Sequence, residues 1–237
     1  MILAAHHPCY LPSLSFFFKL ASADVFVLAD DYQYTTHNFI NRTRIKTADG
    51  AGWLTVPVLT KGRGSQKANE VCVNHTFNWP QKHLRALEVN YCYAAYFEQY
   101  IDDVAALFSR KWRLLVDLNL ALIDLFRSAL GISTPVSLSS ALRLEGKGST
   151  RLLDMLGKTG CGSYLADAEL KTYLKRQEFE QNNFVLQFLD FREPAYHQQF
   201  GDFTPGLSVA DLLFNEGPES RNILMRQRVV SSGEPGV

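Results

Sequence analysis

Two adjacent histidines near the amino terminus are the first residues whose types and spacing could do chemistry. His6 and His7 follow a short apolar run, and Cys9 and Tyr10 come soon after them. Imidazole groups titrate near neutral pH, so this loop could bind phosphate, polarise a carbonyl group or move protons. The alternative is a rigid proline-rich turn whose histidines only hydrogen-bond the backbone.

A pair of carboxylates is the second candidate. Asp30 and Asp31 end a β-branched apolar segment, and Tyr34 follows them. The carboxylates could bind Mg²⁺ or an amine, and the Tyr34 ring could stack on a base or a sugar. Acids also cap turns, so a purely structural role is the alternative.

Residues 37–46 form the third candidate, because three cations and two amides fall within ten residues. We expect this strip to hold phosphate or carboxylate groups through charge-assisted hydrogen bonds. The side chains assigned to that role are Asn38, Asn41, Arg42, Arg44 and Lys46. The alternative is a solvated strand edge, where cations discourage aggregation.

Two smaller groups complete the candidates. Lys82 and His83 lie near the start of a predicted helix. Lys147 and Ser149 lie between a predicted strand and a helix, where a loop can contact phosphate. An exposed helix face is the alternative for the first group. Adjacent histidines in an extended loop tend to point apart, so we predict that His6 and His7 do not hold a fixed zinc ion.

The elements that must position these residues follow from the hydrophobic pattern. Apolar and β-branched runs predict strands at 2–5, 24–29, 53–58, 71–73, 135–139, 163–166 and 184–189. Helical spacing predicts three helices within 81–130 and further helices at 13–21, 149–157, 167–174 and 208–214. This alternation predicts an α/β fold with a mostly parallel, Rossmann-like sheet covered by helices. Ligands of such sheets bind at the carboxyl ends of the strands, where His6 and Asp30 both lie.

Domain organisation and class follow from length and composition. We predict a single α/β domain at 1–226, with a helical insertion at about 81–131 and a flexible tail at 227–237. Lys plus Arg and Asp plus Glu are equal at 24 each, which removes the bulk charge that draws proteins to nucleic acid. Four scattered cysteines and the absence of a long apolar segment predict a cytoplasmic protein without an integral membrane segment. The oligomeric state stays open.

Several of these segments together resemble the WbqC-like family. The resemblance is carried by 6–12, 23–34, 41–46, 53–58, 79–83, 131–132, 146–150 and 211–218. That family usually has Gln where His7 stands and Asn where Cys9 stands. We therefore favour His6 over His7 and do not expect Cys9 to be a nucleophile. The resemblance implies a transferase or ligase of lipopolysaccharide, O-antigen or nucleotide-sugar metabolism, which forms an amide on an amino sugar by aminoacyl or acyl transfer.

The opening strand, histidine loop and helix also resemble the HIGH-motif nucleotidyltransferase superfamily, whose histidines stabilise ATP phosphates. The chain departs from that pattern because Pro12 stands near the position of the second histidine. This likeness makes ATP and Mg²⁺ candidate cofactors and makes a nucleotide or nucleotide-sugar the expected small-molecule partner. His6 would contact phosphate or act as acid or base, and Lys147 and Ser149 would close over the nucleotide. The alternative is a non-catalytic module that binds a nucleotide or nucleotide-sugar.

Overall fold

The computed structural model describes residues 1–36 and 38–226. His37, the first residue of the predicted phosphate-holding strip, lies outside the described residues, and so does the predicted tail at 227–237.

Five parallel strands form the central sheet, and two further strands form a separate antiparallel hairpin. The strands of the sheet are β1 Ile2–His6, β2 Val25–Leu28, β5 Val136–Leu138, β6 Ser163–Ala166 and β7 Val185–Phe188. The strands of the hairpin are β3 Arg42–Thr47 and β4 Gly50–Thr55. The order across the sheet is β5-β2-β1-β6-β7. This arrangement confirms the predicted α/β fold with a parallel sheet.

Helices cover the sheet and connect its strands. They are α1 Leu14–Ala21, α2 Trp79–Tyr91, α3 Phe97–Ser109, α4 Leu115–Ala129, α5 Ser149–Thr159, α6 Arg176–Glu180, α7 Val209–Glu216 and α8 Ser220–Met225. Three short 3₁₀ segments lie at Ala68–Glu70, Ala168–Thr172 and Gly217–Glu219. Helices α2 to α4 occupy the predicted insertion, and Gly131 follows α4 with a φ of 60°, as a helix C-terminus favours.

The alternating side chains of the inner strands face two separate layers of core. Ala4 and Phe26 belong to the larger core with α1, α4 and α7, whereas Leu3 and Val27 belong to the smaller core with α5. Successive side chains of a strand point to opposite faces of the sheet, so each strand contributes to both layers. This is why the strands read as continuous apolar runs in the sequence.

The strand order reverses beside β1. The chain passes from β1 to β2 on one side and later returns to β6 on the other side. The connections that leave the carboxyl ends of β1 and β6 therefore diverge, and parallel α/β sheets form their ligand crevices at such points.

The structure corrects three predicted elements. The segment 71–73 is not a strand, because Cys72 and Val73 form only isolated bridges, with Leu114 and Val58 respectively. The strand predicted at 53–58 is β4, which ends before Pro57, a residue with no N–H to donate to a ladder. The helix predicted at 167–174 is the 3₁₀ segment Ala168–Thr172.

Candidate active site

A cavity of about 740 Å³ lies at the carboxyl end of the parallel sheet, beside the point where the strand order reverses. His6 and His7 line it from the end of β1, and Asp167 lines it from the residue after β6. Glu169 lines it from the following 3₁₀ segment, and Met155 lines it from α5. The cavity therefore combines titratable groups from several strand ends with an apolar helix wall.

The His6 ring is fixed in one orientation and one tautomer. Its Nδ1 atom lies 3.0 Å from the carbonyl oxygen of His7, which can only accept a hydrogen bond. Nδ1 therefore carries the proton, and Nε2 keeps its lone pair. The Phe16 ring packs edge-on at 5.2 Å between ring centres. Burial, helped by the positive charge of Lys19, lowers the pKa of His6 to about 4, so the ring is neutral at pH 7 and can accept a proton.

Lys19 links two residues that line the cavity, Ala5 and Asp167. It is 1% exposed, and its Nζ donates to the carbonyl oxygen of Ala5 at 2.9 Å and to Asp167 Oδ2 at 2.8 Å. A buried ammonium requires a partner of this kind, because an unpaired charge away from water is costly. Burial lowers the pKa of Lys19, and the Asp167 carboxylate opposes that shift.

Sequence reasoning missed both partners of this ion pair. Lys19 sits in the apolar helix segment 14–21, where a lone lysine is itself a sign of a buried, paired charge. Asp167 stands directly after the predicted strand 163–166, just as Asp30 stands directly after the predicted strand 24–29. The position of this acid after a strand was therefore predictable from the sequence, whereas its pairing with Lys19, 148 residues away, was not.

His7 supplies a second imidazole to the cavity. Its Nδ1 lies 3.4 Å from the carbonyl oxygen of Ala29, and its ring meets the Tyr32 ring edge-on at 5.6 Å. Burial lowers the pKa of His7. His6 and His7 point to different partners, yet both reach the same cavity.

Cys9 is a buried thiol behind the histidine loop. Its Sγ lies 3.8 Å from His6 Nδ1. Burial, followed by the nearby Asp167 carboxylate, raises the pKa of Cys9 to about 12. The sulfur therefore stays protonated at neutral pH and is unsuited to nucleophilic attack.

Asp30 ties the end of β2 to the end of β5 and does not line the cavity. It is buried and accepts hydrogen bonds from the Ser140 N–H at 2.9 Å and the Ser140 hydroxyl at 2.6 Å. It also accepts from Asn69 Nδ2 at 3.2 Å, and its Oδ1 lies 3.1 Å from the Ser139 hydroxyl oxygen. With its acceptor positions occupied in this way, the carboxylate is bound to the protein's own groups.

Asp31 acts on the cavity wall through an arginine. It pairs with Arg151 Nη2 at 2.5 Å and accepts from the Ser139 hydroxyl at 2.5 Å. The Arg151 guanidinium lies 5.0 Å from the centre of the Tyr32 ring, which lines the cavity. Asp31 therefore positions this wall and does not itself line the cavity.

The predicted phosphate-holding strip lies on the β3–β4 hairpin and in the turn before it, and none of its described members lines the cavity. Asn41 donates through Nδ2 to the Val56 carbonyl oxygen at 2.9 Å. Asn38 donates to the Thr35 hydroxyl at 3.4 Å near the surface. The two amides therefore stabilise turns and loops.

The cations of the strip also have local partners. The Arg42 guanidinium lies 4.3 Å from the centre of the Trp53 ring. The Arg44 guanidinium lies near the Glu193 carboxyl and opposes the rise in its pKa that burial causes. Lys46 is buried and donates through Nζ to the Thr204 hydroxyl at 2.7 Å and to the Asp202 carbonyl oxygen. Lys46 thus fastens the loop at 202–204 to the hairpin.

Tyr10 and His83 meet in the core, away from His6. The Tyr10 hydroxyl lies 2.8 Å from His83 Nδ1, and His83 also bonds the backbone of Thr55. Burial lowers the pKa of His83 to about 4. Tyr34 is likewise buried, and its N–H donates to the Gln66 carbonyl oxygen at 2.8 Å.

The segment around Gly148 brings a helix start to the cavity. Gly148 lines the cavity, and Ser149 is the first residue of α5. Lys147, the residue before Gly148, is exposed. The first N–H groups of a helix lack helical partners and carry partial positive charge, so an anion at this rim would be stabilised.

The matching regions now identify the family. The WbqC-like protein family matches residues 7–223, which covers most of the chain and includes His7, the Gly148 segment and α7. The chain belongs to the WbqC-like protein family. An uncharacterized protein of Mycobacterium tuberculosis is 34% identical to this WbqC-like chain over 217 residues, which is 91% of this chain and 94% of that protein. No solved structure matches this WbqC-like chain.

Residues 1–36 and 38–226 lack two further features. No helix in them is both long enough and apolar enough to cross a bilayer. No three His, Cys, Asp or Glu side chains in them are grouped so that they could hold a metal ion.

Proposed function

We propose that this WbqC-like protein is an enzyme of polysaccharide or nucleotide-sugar metabolism that forms an amide on an amino sugar. The observation that carries the proposal is the neutral His6 imidazole, which lines the same cavity as the Asp167 and Glu169 carboxylates. A neutral base beside two carboxylates suits a substrate with a positively charged amino group.

The amine is held by charge and activated by proton transfer. Asp167 and Glu169 attract the ammonium form of the substrate into the cavity. That ammonium first gives one proton to solvent, and the amine nitrogen then attacks the carbonyl carbon of an activated acyl group. His6 Nε2 accepts the second proton as the carbon–nitrogen bond forms. Lys19 holds the Asp167 carboxylate at 2.8 Å, so that it faces the cavity in one position.

The acyl group needs activation, because a free carboxylate has no leaving group that departs readily. A nucleotide-dependent step supplies one. ATP and the carboxylate give an acyl-adenylate and pyrophosphate, and attack by the amine then breaks the carbon–oxygen bond and releases AMP. The start of α5, with Gly148 at the cavity and Lys147 and Ser149 beside it, is the place we assign to the phosphates.

The predicted roles of Asp30 and Asp31 change in this proposal. Neither carboxylate lines the cavity, and Ser139, Ser140 and Arg151 hold both in place, so we assign them to positioning the cavity wall. Amine binding passes to Asp167 and Glu169.

Pyrophosphate exchange tests the activation step. Wild-type protein is incubated with ATP, each amino acid in turn and labelled pyrophosphate, and we expect label to enter ATP with at least one acid. Addition of an amino-sugar nucleotide should then yield an amide, detected by mass spectrometry. His6→Asn should keep exchange and slow amide formation by roughly 10²–10⁴-fold, the usual contribution of a positioned base. His197→Asn, at an exposed histidine outside the cavity, is the matched control and should leave both steps unchanged.

Two results contradict the proposal. Exchange that is absent with every acid removes the adenylate step. Tight nucleotide-sugar binding with no turnover, weakened by His6→Asn, makes the protein a non-catalytic binding module.

A further inference from the structure

The cavity beside His6 is lined from both faces of the sheet. On the face covered by α1, the His6 ring packs against Phe16 of the larger core, and Asp167 pairs with Lys19. On the face covered by α5, the side chains that line the cavity belong to the smaller core or pack against it. This apolar face consists of Ala5, Leu152, Met155, Tyr164, Leu170 and Leu174. The cavity therefore has a titratable side and a largely apolar side.

Tyr164 carries the one hydroxyl group of the apolar face among the described residues. The residue is 3% exposed, and its ring stacks on the Phe179 ring with 6.3 Å between the ring centres. The hydroxyl makes no hydrogen bond to a described residue, and its oxygen is not among the fully buried polar atoms. Because the rest of the side chain is packed in the core, the accessible oxygen faces the cavity. A ligand oxygen there would complete its hydrogen bonding.

The Tyr164 hydroxyl is a hydrogen-bond donor at neutral pH. Burial, followed by the Asp167 carboxylate, raises the pKa of the phenol, so the proton stays on the oxygen. The imidazoles of the cavity differ, because Nδ1 of His6 and Nδ1 of His7 each face a carbonyl oxygen and leave Nε2 as an acceptor. Tyr164 is therefore suited to an acceptor such as a carbonyl oxygen, which the two imidazoles are not.

A single donor on an apolar wall favours an acyl chain over a nucleobase. An acyl chain is apolar apart from one carbonyl oxygen, which one hydroxyl can satisfy. A nucleobase also has apolar faces, but its edge carries several polar atoms, and burial of these atoms without partners is unfavourable. Gly148, which we assign to the phosphates, lies one helical turn before Leu152, whose N–H donates to the Gly148 carbonyl oxygen at 3.4 Å. An acyl group joined to a phosphate at Gly148 is thus next to the apolar face.

We infer that the apolar face binds the acyl group that is transferred, and that this group is an aliphatic chain of several carbons. The chain packs against Leu152 and Met155, and the Tyr164 hydroxyl donates a hydrogen bond to its carbonyl oxygen. This inference rests on the proposed acyl transfer and narrows the acyl group to the apolar class. Acyl groups with charged side chains do not fit, because this face has no partner for the charge among the described residues.

The three methionines allow a direct test by NMR. Met155 lines the cavity, whereas Met1 is exposed and Met225 packs against the larger core. Full-length protein with ¹³C-labelled methionine methyl groups is titrated with acetamide, butanamide and hexanamide, which are neutral and so are not repelled by Asp167 and Glu169. We expect hexanamide to move the Met155 signal and to leave the Met1 and Met225 signals in place.

Chain length and ligand class give the decisive comparisons. Each buried CH₂ should tighten binding about fourfold, so hexanamide should bind roughly tenfold or more tightly than acetamide. Adenosine and uridine should not move the Met155 signal. No movement with hexanamide, affinity that does not depend on chain length, or movement with a nucleoside but not with hexanamide overturns the inference.

Two leucines of α5 form a matched pair of variants. Leu152 and Leu153 are both half-buried and both pack against the smaller core, but only Leu152 lines the cavity. Leu152→Ala should weaken hexanamide binding severalfold, and Leu153→Ala should leave the affinity unchanged. Equal losses from the two variants would contradict the placement of the chain on the apolar face.

Tyr164→Phe tests the hydroxyl and keeps the ring that stacks on Phe179. It should weaken hexanamide binding roughly threefold to tenfold, as expected for a neutral hydrogen bond, and should leave the urea midpoint unchanged because the hydroxyl has no partner among the described residues. Tyr10→Phe is the control, since its hydroxyl lies 2.8 Å from His83 Nδ1 outside the cavity. It should lower the urea midpoint and leave the affinity unchanged. Wild-type affinity in Tyr164→Phe would remove Tyr164 from the site.

These measurements separate the inference from the proposed reaction. Binding of neutral amides requires neither ATP nor turnover. Failure of hexanamide to bind, together with normal pyrophosphate exchange, contradicts the inference alone. Absence of exchange, together with binding that depends on chain length, contradicts the activation step and leaves the apolar face as a site for an acyl chain.

Discussion

The low pKa of His6 has two main causes, its burial and the nearby Lys19 ammonium. Burial disfavours the charged imidazolium, and the Lys19 ammonium adds a repulsive positive charge. Asp167 acts in the opposite direction, because its carboxylate favours the charged imidazole. The balance keeps the ring neutral well below pH 7, so Nε2 retains its lone pair, and the same shift makes the imidazole a weaker base than an ordinary histidine.

Replacement of Lys19 tests this balance. Lys19→Met removes the positive charge and leaves Asp167 without its ion-pair partner, and both changes should raise the pKa of His6 from about 4 toward 6.5. NMR titration of the histidine ring protons measures the pKa, and the acidic limb of the rate profile should move upward with it. Arg85→Gln removes an exposed cation and serves as the control. A His6 pKa that is unchanged in Lys19→Met would contradict the role given to Lys19.

At the scale of elements, α4 holds the histidine loop in place. Asn119 is a fully buried residue of α4, and its Nδ2 donates to the Pro8 carbonyl oxygen at 2.8 Å and to the Ile40 carbonyl oxygen at 2.7 Å. One side chain thus joins α4 to the loop after β1 and to the turn before β3.

Truncation of this side chain should destabilise the protein. Asn119→Ala leaves two buried carbonyl groups without this donor and should lower the free energy of unfolding by roughly 2–4 kcal/mol. Urea unfolding measures the change. Ser128→Ala, at an exposed position of the same helix, should change the free energy by less than about 0.5 kcal/mol. Equal stability of the two variants would show that Asn119 does not anchor the loop.

The sequence predicted the parallel sheet better than the hairpin. Strands buried on both faces appear as continuous apolar runs, so β1, β2 and β5 to β7 were recognisable. Segment 42–47 alternates charged and uncharged residues, which fits a charged ligand strip as well as a strand. Only tertiary contacts distinguish them, such as the burial of Lys46 against Thr204. Likewise, the local sequence pattern identified His6 as a candidate site residue but could not predict the contact between Lys19 and Asp167.

At the scale of the whole molecule, buried neutral histidines couple folding to pH. The pKa of His83 is lowered from 6.5 to about 4, chiefly by burial, so the unfolded chain binds more protons between these two values. Stability therefore falls as the pH drops from about 6.5 to about 4 and levels off below that. His6 and His7 shift in the same direction.

A variant isolates the contribution of His83. Each unit of pKa difference is worth about 1.4 kcal/mol, so His83 contributes up to roughly 3 kcal/mol across this window. His83→Gln keeps an acceptor for the Tyr10 hydroxyl but does not titrate, and its stability should fall less steeply between pH 7 and pH 4.5. Urea unfolding at several pH values gives both curves. Parallel curves for wild type and variant would contradict the shifted pKa.

At the scale of the whole molecule, the proposed reaction takes place in the cavity beside His6, where the strand order reverses. Histidine NMR of the full-length protein with UDP-glucosamine, a nucleotide-sugar with a free amine, tests that claim most directly. We predict that the ring signals of His6 and His7 shift, while those of His75 and His197, which line neither this cavity nor the smaller one that His83 lines between the β3–β4 hairpin and α2, stay in place. Saturation that moves His83 and leaves His6 unchanged would contradict the account.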